Sequence, residues 1–315
     1  MKFSIIIACY NLGGLVCRAL ESCIHQESIS LDEYEIIAIN DGSTDNTLAF
    51  INKYSYQPNL RIIDKPNAGL SDTRNMGLSL AKGDYVLFLD GDDWYTQDAL
   101  ACLKENCGNY DVVVFPMYYY YSEDDYKTNL VGLHKGVYSR NTFLHATLGR
   151  RQFCIIPAQK KAYKRTFLKK NNIQFINNII HEDNPFFLDV MNATDKVFYI
   201  DKPLYYYLQK REGSITACHT LKNFYGVISG LEHIDTLMIE NNPDVRLLNG
   251  NMLVFQATQN YKYKEDAKIA FRQLRKERKR IIKYLFTSTF DLASFIRLLV
   301  LFVDPFFLKL IYKKK

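Results

Sequence analysis

Residues 84–94 read Asp84-Tyr85-Val86-Leu87-Phe88-Leu89-Asp90-Gly91-Asp92-Asp93-Trp94. The apolar run Tyr85 to Leu89 has the length and composition of a strand buried on both faces in a parallel sheet. It ends in three carboxylates, Asp90, Asp92 and Asp93, which repel one another unless a cation sits among them. Hard divalent cations such as Mg²⁺ or Mn²⁺ take oxygen ligands and are commonly shared with substrate phosphates. The stretch therefore reads as a metal–diphosphate site at the mouth of an α/β sheet. An ordinary acidic turn bending at Gly91 is the plain alternative, and the flanking sequence decides between the two.

Upstream, Phe3 to Cys9 is a β-branched, apolar strand broken by Tyr10-Asn11 and Gly13-Gly14. Leu15, Ala19, Leu20 and Cys23 then recur at helical spacing as far as Gln26. Glu35 to Ile39 is a second strand, closed by Asn40-Asp41-Gly42-Ser43, and Thr44 or Asp45 can cap a helix reaching Tyr54. Leu60 to Ile63 is a third strand, and a helix over 72–81 follows the loop Asn67 to Ser71, with Lys82-Gly83 as its stop signal. Strands alternate with helices, and polar loops sit at the strands' carboxyl ends. That is the pattern of a doubly wound, mostly parallel sheet, whose ligands bind beyond those ends. Beyond residue 110 the pattern loosens. It predicts a strand over 111–121, helices over 140–148 and 162–171, a helix through Phe186–Val190 with acids near its start, a strand-rich 196–207, and helices from about Leu221 onward.

The chain's 315 residues are 48% hydrophobic and 23% charged, as for a globular protein with a sizeable core. Nothing near Met1 resembles a secretory leader, since Phe3 to Ile7 is too short and polar residues follow it. The seven cysteines are odd in number and lack zinc-type spacing, which favours reduced thiols in the cytosol. Residues 264–315 hold fourteen Lys or Arg against five Asp or Glu, a surplus of nine; the overall +6 thus leaves −3 for residues 1–263. The basic excess belongs to the tail.

Four motifs occur in order: Ser4-Ile-Ile-Ile-Ala-Cys-Tyr-Asn11, Asn40-Asp-Gly-Ser-Thr-Asp45, Asn67-Ala-Gly-Leu-Ser-Asp-Thr-Arg-Asn75 and Asp90-Gly-Asp-Asp-Trp94. Together they resemble family 2 glycosyltransferases of the GT-A fold, of the kind that builds bacterial surface polysaccharide. The likeness covers roughly the first 220 residues; Ala8 stands where the family usually has proline. It implies a GT-A domain over 1–220, with a nucleotide-binding part at 1–110 and an acceptor part at 111–220. A helical region at 221–315 follows.

The resemblance implies roles that residue chemistry supports. Asp41, an acceptor-only carboxylate, suits the imide N–H of uracil, although thymine presents the same group. An Asx turn holding its own loop is the alternative. Tyr10 can stack on the base, with Asn11 beside it. Gly69 and Arg74 run along the nucleotide, and the Arg74 guanidinium matches either the base side or the aspartate cluster. Asp90 and Asp92 resemble the family's DxD element, holding Mn²⁺ or Mg²⁺ against both phosphates, with Asp93 as a further support; spacing leaves open which of them touches the ion. Glu182-Asp183 resembles the catalytic acidic pair, with Asp183 as the base that takes the acceptor hydroxyl's proton and Glu182 as second choice or partner. Arg211 and Ser214, in Arg211-Glu-Gly-Ser-Ile-Thr216, resemble a loop that closes over the diphosphate. The tyrosines at 118–121 and 205–207 suit either core packing or sugar stacking.

The expected activity is inverting transfer of a hexose or N-acetylhexosamine from a nucleotide-sugar donor, expected to be UDP-linked, to a hydroxyl of a glycan or lipid-linked glycan. The tail joins the cationic run Arg275 to Arg280 to an apolar stretch, Leu292 to Tyr312, interrupted by Arg297, Asp304, Pro305 and Lys309. It is too broken to span a bilayer but suits an anionic membrane surface. The expected location is therefore the cytoplasm, peripheral on the inner face of the cell membrane. Three rivals are a catalytically inactive nucleotide-sugar binder, a nucleic-acid-associated protein using the basic tail, and a dehydrogenase. The tail's apolar content and the lack of a matching module argue against nucleic acid. Tyr10-Asn-Leu-Gly-Gly14 stands where a dinucleotide fingerprint would be.

Overall fold

A computed structural model describes residues 1–129, 131–149, 155–209, 220–257 and 264–285. The chain forms two compact units that interleave along the sequence: residues 1–143, 154–178 and 193–210 in one, and 144–153, 179–192 and 211–315 in the other.

The first unit carries both sheets. Its opening follows the alternation expected from sequence: β1 (Phe3–Cys9), α1 (Leu15–Ile24), β2 (Tyr34–Asp41), α2 (Thr47–Asn52), β3 (Leu60–Lys65), α3 (Leu70–Leu80) and β4 (Tyr85–Asp90). These four strands are parallel neighbours in the order β3-β2-β1-β4. Side-chain alternation loads both faces of the sheet. Ile5 and Ile7 join Val16, Ala19, Leu20 and Cys23 of α1 in one core cluster, whereas Ile6 abuts Gly77 of α3 on the other side.

Helix α2 begins one residue later than its capping signals suggest. Asn46 holds the cap position, and the Asp45 carboxylate accepts the Thr47 N–H at 2.9 Å. Gly83 lets the chain pass against β1: a Cβ there would stand 2.5 Å from the Phe3 carbonyl carbon and 2.6 Å from the Ser4 nitrogen. Backbone cannot give way as a side-chain tip can. Gly83→Ala is therefore expected to cost about 1–3 kcal/mol in denaturant unfolding, without altering the fold.

The predicted strand over 111–121 is two strands in different sheets. β6 (Val112–Val114) continues the large sheet and β7 (Met117–Ser122) enters a small one. The break falls at Pro116, which has no N–H for a ladder. A two-residue strand, β5 (Trp94–Tyr95), follows the acidic turn and leads into α4 (Ala99–Asn106). β8 (Asp125–Thr128), β9 (Gly136–Ser139) and α5 (Arg140–Leu144) come next, the last running into a π-helical turn at His145–Gly149.

The predicted helix over 162–171 is corrected at its start. Lys161–Lys164 is a strand, β10, inserted antiparallel between β4 and β6, and α6 covers only Arg165–Lys170. Lys161, just before the expected helix, is fully buried. Its ammonium donates to the carbonyls of Ile155 (2.6 Å) and Pro157 (2.8 Å). β11 (Lys196–Tyr199) pairs with β6 and β9. β12 (Tyr205–Leu208) completes the small sheet, ordered β5-β12-β7-β8.

The second unit is helical: α7 (Asp183–Ala193), α8 (Leu221–Ile234), α9 (Pro243–Ala257), α10 (Lys264–Lys276) and α11 (Arg278–Leu285). Gly226 and Gly230 let α8 press against Ile180 and Pro185 at the start of α7. Asp189 and His233 pair across the same two helices at 2.9 Å. Among the described residues no helix is long and apolar enough to cross a membrane. The stretch 286–315, with most of the basic, apolar tail, lies outside them.

Candidate active site

Parallel register brings the carboxyl ends of the first four strands to one rim. Asp41 pairs with Lys65, and Asp90 lies beside Ala8, one residue short of the end of β1. Asp41 is 4% exposed and holds the loop after β3. One of its oxygens accepts from the Lys65 ammonium and from the Ala68 N–H at 2.9 Å; the other accepts from the Gly69 N–H at 2.9 Å and Asn67 Nδ2 at 3.3 Å. A carboxylate offers about four acceptor positions, and here they are taken by Lys65 and the loop after β3 and not by Asp41's own loop. Lys65 also reaches Asp72 at 2.9 Å, clamping the loop to α3. Gly69 occupies the position before α3 with φ of +91°, a conformation that side chains resist.

Tyr10 stands 48% exposed just past β1. Asn11 ties its own loop to the loop after β2. Its N–H donates to Ser43 Oγ at 3.0 Å, and its Oδ1 accepts the Thr44 N–H at 2.8 Å. Leu12 N–H to Thr47 Oγ1, at 2.8 Å, adds a second stitch.

Of the two partners open to Arg74, the structure has the aspartate cluster. The guanidinium, 1% exposed, donates to Asp90 Oδ1 at 2.9 Å and lies over the Phe175 ring at 5.1 Å. Gln159, just before β10, donates to the other Asp90 oxygen. Asp93 is enclosed as well: Tyr205 Oη donates to it at 2.6 Å and the Leu208 N–H at 2.8 Å. Burial, then repulsion from Asp92 and Asp90, pushes the Asp93 carboxyl well above the usual carboxylate range. The same burial and the same two carboxylates raise the Cys9 thiol. Cys9 and the other described cysteines, Cys17, Cys23, Cys102 and Cys107, are free thiols.

The donor set suits a hard cation only in part. Among the described residues no group of three His, Cys, Asp or Glu forms a metal cage. Asp93 is spent on Tyr205 and the Leu208 backbone, Asp90 is gripped on both oxygens, and Asp92 is half-buried. One or two carboxylates, with phosphate oxygens and water completing the shell, fit an ion of the Mg²⁺ or Mn²⁺ type.

Glu182 and Asp183 belong to the helical unit. Asp183 opens α7 and Glu182 immediately precedes it, 8% exposed. His181, at φ of +68°, turns the chain into the helix, and its ring meets Gln256 Nε2 of α9 at 2.9 Å. Arg211 and Ser214 lie outside the described residues.

Sequence reasoning missed Lys65, Gln159 and Tyr205. Lys65 had a signal, as the last residue of a strand aligned with Asp41. Gln159 and Tyr205 reach the rim from 69 and 112 residues away along the chain, and no local pattern marks them.

Comparison with known proteins places this arrangement. Residues 4–171 match the family model described as Glycosyl transferase family 2. The chain is 30% identical over 240 residues to a cholesterol galactosyltransferase of Borreliella burgdorferi, an alignment covering 70% of this chain and 64% of that protein. It is 29% identical over 246 residues to the glycosyltransferase GlyA of Streptococcus pneumoniae, covering 75% of this chain and 34% of the other. It thus spans about a third to somewhat under two thirds of these relatives' lengths. The crystal structure of S. aureus TarS 1-349 in complex with UDP superposes with a TM-score of 0.67 at 21% identity, covering 91% of this chain and 81% of that one. At that identity the likeness is one of fold.

Proposed function

The chain belongs to glycosyl transferase family 2, and on that footing we propose that it moves one sugar from a nucleoside diphosphate donor to a hydroxyl of a glycan or lipid-linked glycan. The donor is UDP-linked, the sugar a hexose or N-acetylhexosamine, and the setting surface-polysaccharide assembly. The observation that supports the reading is the common rim: Asp41 and Asp90 end the parallel strands that flank β1, Tyr10 and Asp92 follow such ends in the chain, Gly69 bonds to Asp41 and Arg74 to Asp90. The UDP complex of the TarS neighbour supports the choice of nucleotide. Donor binding falls to residues 1–110, acceptor binding to 111–220, and the helical remainder follows.

Tyr10 stacks on uracil. Because Asp41 is saturated, the uracil imide displaces its longest contact, Asn67 Nδ2 at 3.3 Å, and leaves the two backbone donors and Lys65 in place. Asn11 and Gly69 keep the two loops at the distance a nucleotide needs. Arg74 and Gln159 fix Asp90 beside the ribose. Asp92, with Asp90 behind it, holds the divalent cation, Mn²⁺ or Mg²⁺. When bound, that ion supplies Lewis-acid stabilisation of the departing diphosphate. Arg211 and Ser214 close on the phosphates.

Transfer inverts the anomeric carbon. Asp183 accepts the acceptor hydroxyl's proton as its oxygen bonds to that carbon and the bond to the diphosphate breaks. Glu182 positions the acceptor. A thermal-shift panel of UDP-, dTDP- and GDP-sugars with and without Mn²⁺ tests the donor assignment. Stabilisation by UDP-sugars that grows with Mn²⁺ is expected; a response to GDP-sugars alone would contradict it.

We further propose a cytoplasmic enzyme docked peripherally on the inner face of the cell membrane through its basic, apolar tail, with no role for nucleic acid. Full-length protein is expected to sediment with phosphatidylglycerol vesicles at low salt, and protein lacking residues 290–315 to stay in the supernatant. Equal sedimentation of the two would remove the tail from the account.

A further inference from the structure

Alternation gives the small sheet two distinct faces. Met117 and Tyr205 are buried in the main core, and Tyr119 and Tyr207 pack against it. The alternate residues Tyr118, Tyr120 and Tyr206, with their ladder partners Trp94 and Tyr126, share the opposite face. A sheet face turned away from the core is ordinarily polar. Here it carries five aromatic side chains, four half-buried and Tyr126 exposed, and an aromatic concentration open to solvent in this way suits an occupant.

The rings form a built surface. Trp94 stacks on Tyr206 (centroids 5.2 Å apart, planes at 14°), and Tyr206 stacks on Tyr118 (4.6 Å, 20°). Tyr120 meets Trp94 edge-on at 4.8 Å, and Tyr126 meets Tyr206 edge-on at 6.3 Å. The Arg18 guanidinium closes over Trp94 at 4.4 Å. Tyr126, on β8, remains 51% exposed.

Trp94, Tyr120, Tyr126 and Tyr206 line a cleft of about 780 Å³ whose rim includes Glu27, Gln97, Asp98 and Glu123, a volume typical of small-molecule sites. Asp98 is paired with Lys202, which leaves Glu27 and Glu123 against Arg18. The balance favours groups that offer hydroxyls and repels polyanions. Trp94 lies two residues beyond Asp92 in the chain.

We infer that this cleft holds a neutral stretch of the acceptor glycan. Pyranose rings lie against Tyr120 and Tyr126, whose flat apolar faces match the axial C–H groups of a sugar, and the sugar hydroxyls bond to Glu27, Gln97 and Glu123. Trp94, covered by Arg18 and Tyr206, forms the floor. The inference rests on the glycosyltransferase reading and assigns that reaction a binding platform for the acceptor.

Trp94 is the chain's one tryptophan, so its emission reports this cleft directly. Titrating the full chain with chitotetraose, without nucleotide, is expected to change Trp94 emission along a saturating millimolar curve. Tyr126→Ala is expected to weaken that binding about tenfold, the loss of one stacking contact. Tyr126 sits half-exposed on an edge strand, so a melting temperature equal to wild type verifies the variant's fold. Hyaluronan tetrasaccharide, with its carboxylates, should bind more weakly than chitotetraose.

No emission change with chitotetraose would overturn the inference. So would a change that survives both Tyr126→Ala and Tyr120→Ala, or tighter binding of the hyaluronan fragment. UDP-induced thermal stabilisation, measured on the same unsubstituted sample, separates the two readings. If UDP stabilises the protein but the saccharide is silent, the cleft assignment alone fails. If neither acts, the donor reading fails with it.

Discussion

Asp92→Ala is expected to lower sugar transfer by about 10²–10³-fold or more, the scale set by removing one preorganised electrostatic element. It should also erase the Mn²⁺ dependence of UDP binding and leave the metal-free affinity little changed. The neighbouring carboxylates of Asp90 and Asp93 each hold named groups in place. Removing the Asp90 carboxylate would take from the Arg74 guanidinium, 1% exposed, an acceptor at 2.9 Å, and a hydrogen bond to a charged group is typically worth about 1.5–3 kcal/mol. Removing the Asp93 carboxylate would leave the Tyr205 hydroxyl and the Leu208 N–H without their acceptor. Lost activity in either variant would mix catalysis with stability. Calorimetric UDP titrations of Asp92→Ala, with Mn²⁺ and with EDTA, read the metal contribution alone. A variant that keeps wild-type Mn²⁺ dependence would remove Asp92 from the ion's shell.

Asp183→Asn is expected to cut transfer by about 10²–10⁴-fold, the usual yield of a positioned general base, while UDP affinity stays within about twofold of wild type. The amide is nearly isosteric, so it can still stand at the start of α7, where Asp183 opens the helix and Pro185 follows in the first turn. What it loses is the capacity to hold a proton. Glu182→Gln is expected to raise the acceptor KM more than it lowers kcat, as befits a residue that positions rather than reacts. Normal transfer by Asp183→Asn, with Glu182→Gln inactive, would exchange the two roles.

The front of the molecule was legible because its information is local. β4 is a contiguous apolar run until its last residue and β1 and β2 are nearly so, and reading where β2 and β4 end also located Asp41 and Asp90. What escaped is held together over long separations. Gln159 meets Asp90, and Tyr205 meets Asp93, through strands whose pairing no local pattern specifies. β10 was read as helix because Lys160-Lys161-Ala-Tyr-Lys164 has no period that separates the two forms. Only the tertiary fold explains two fully buried lysines there: Lys160 donates to Asn129 Oδ1 at 3.0 Å, and Lys161 caps the 155–157 carbonyls. The saturation of Asp41 was equally invisible, because its donors come from the loop after the following strand.

A crystal structure of the full chain soaked with UDP and Mn²⁺ tests the central claim most directly. The account predicts uracil between Tyr10 and Asp41, with the ion bound by Asp92 and by both phosphates of the same nucleotide. UDP seated away from the β1–β4 rim, or an ion held without Asp92, would contradict it.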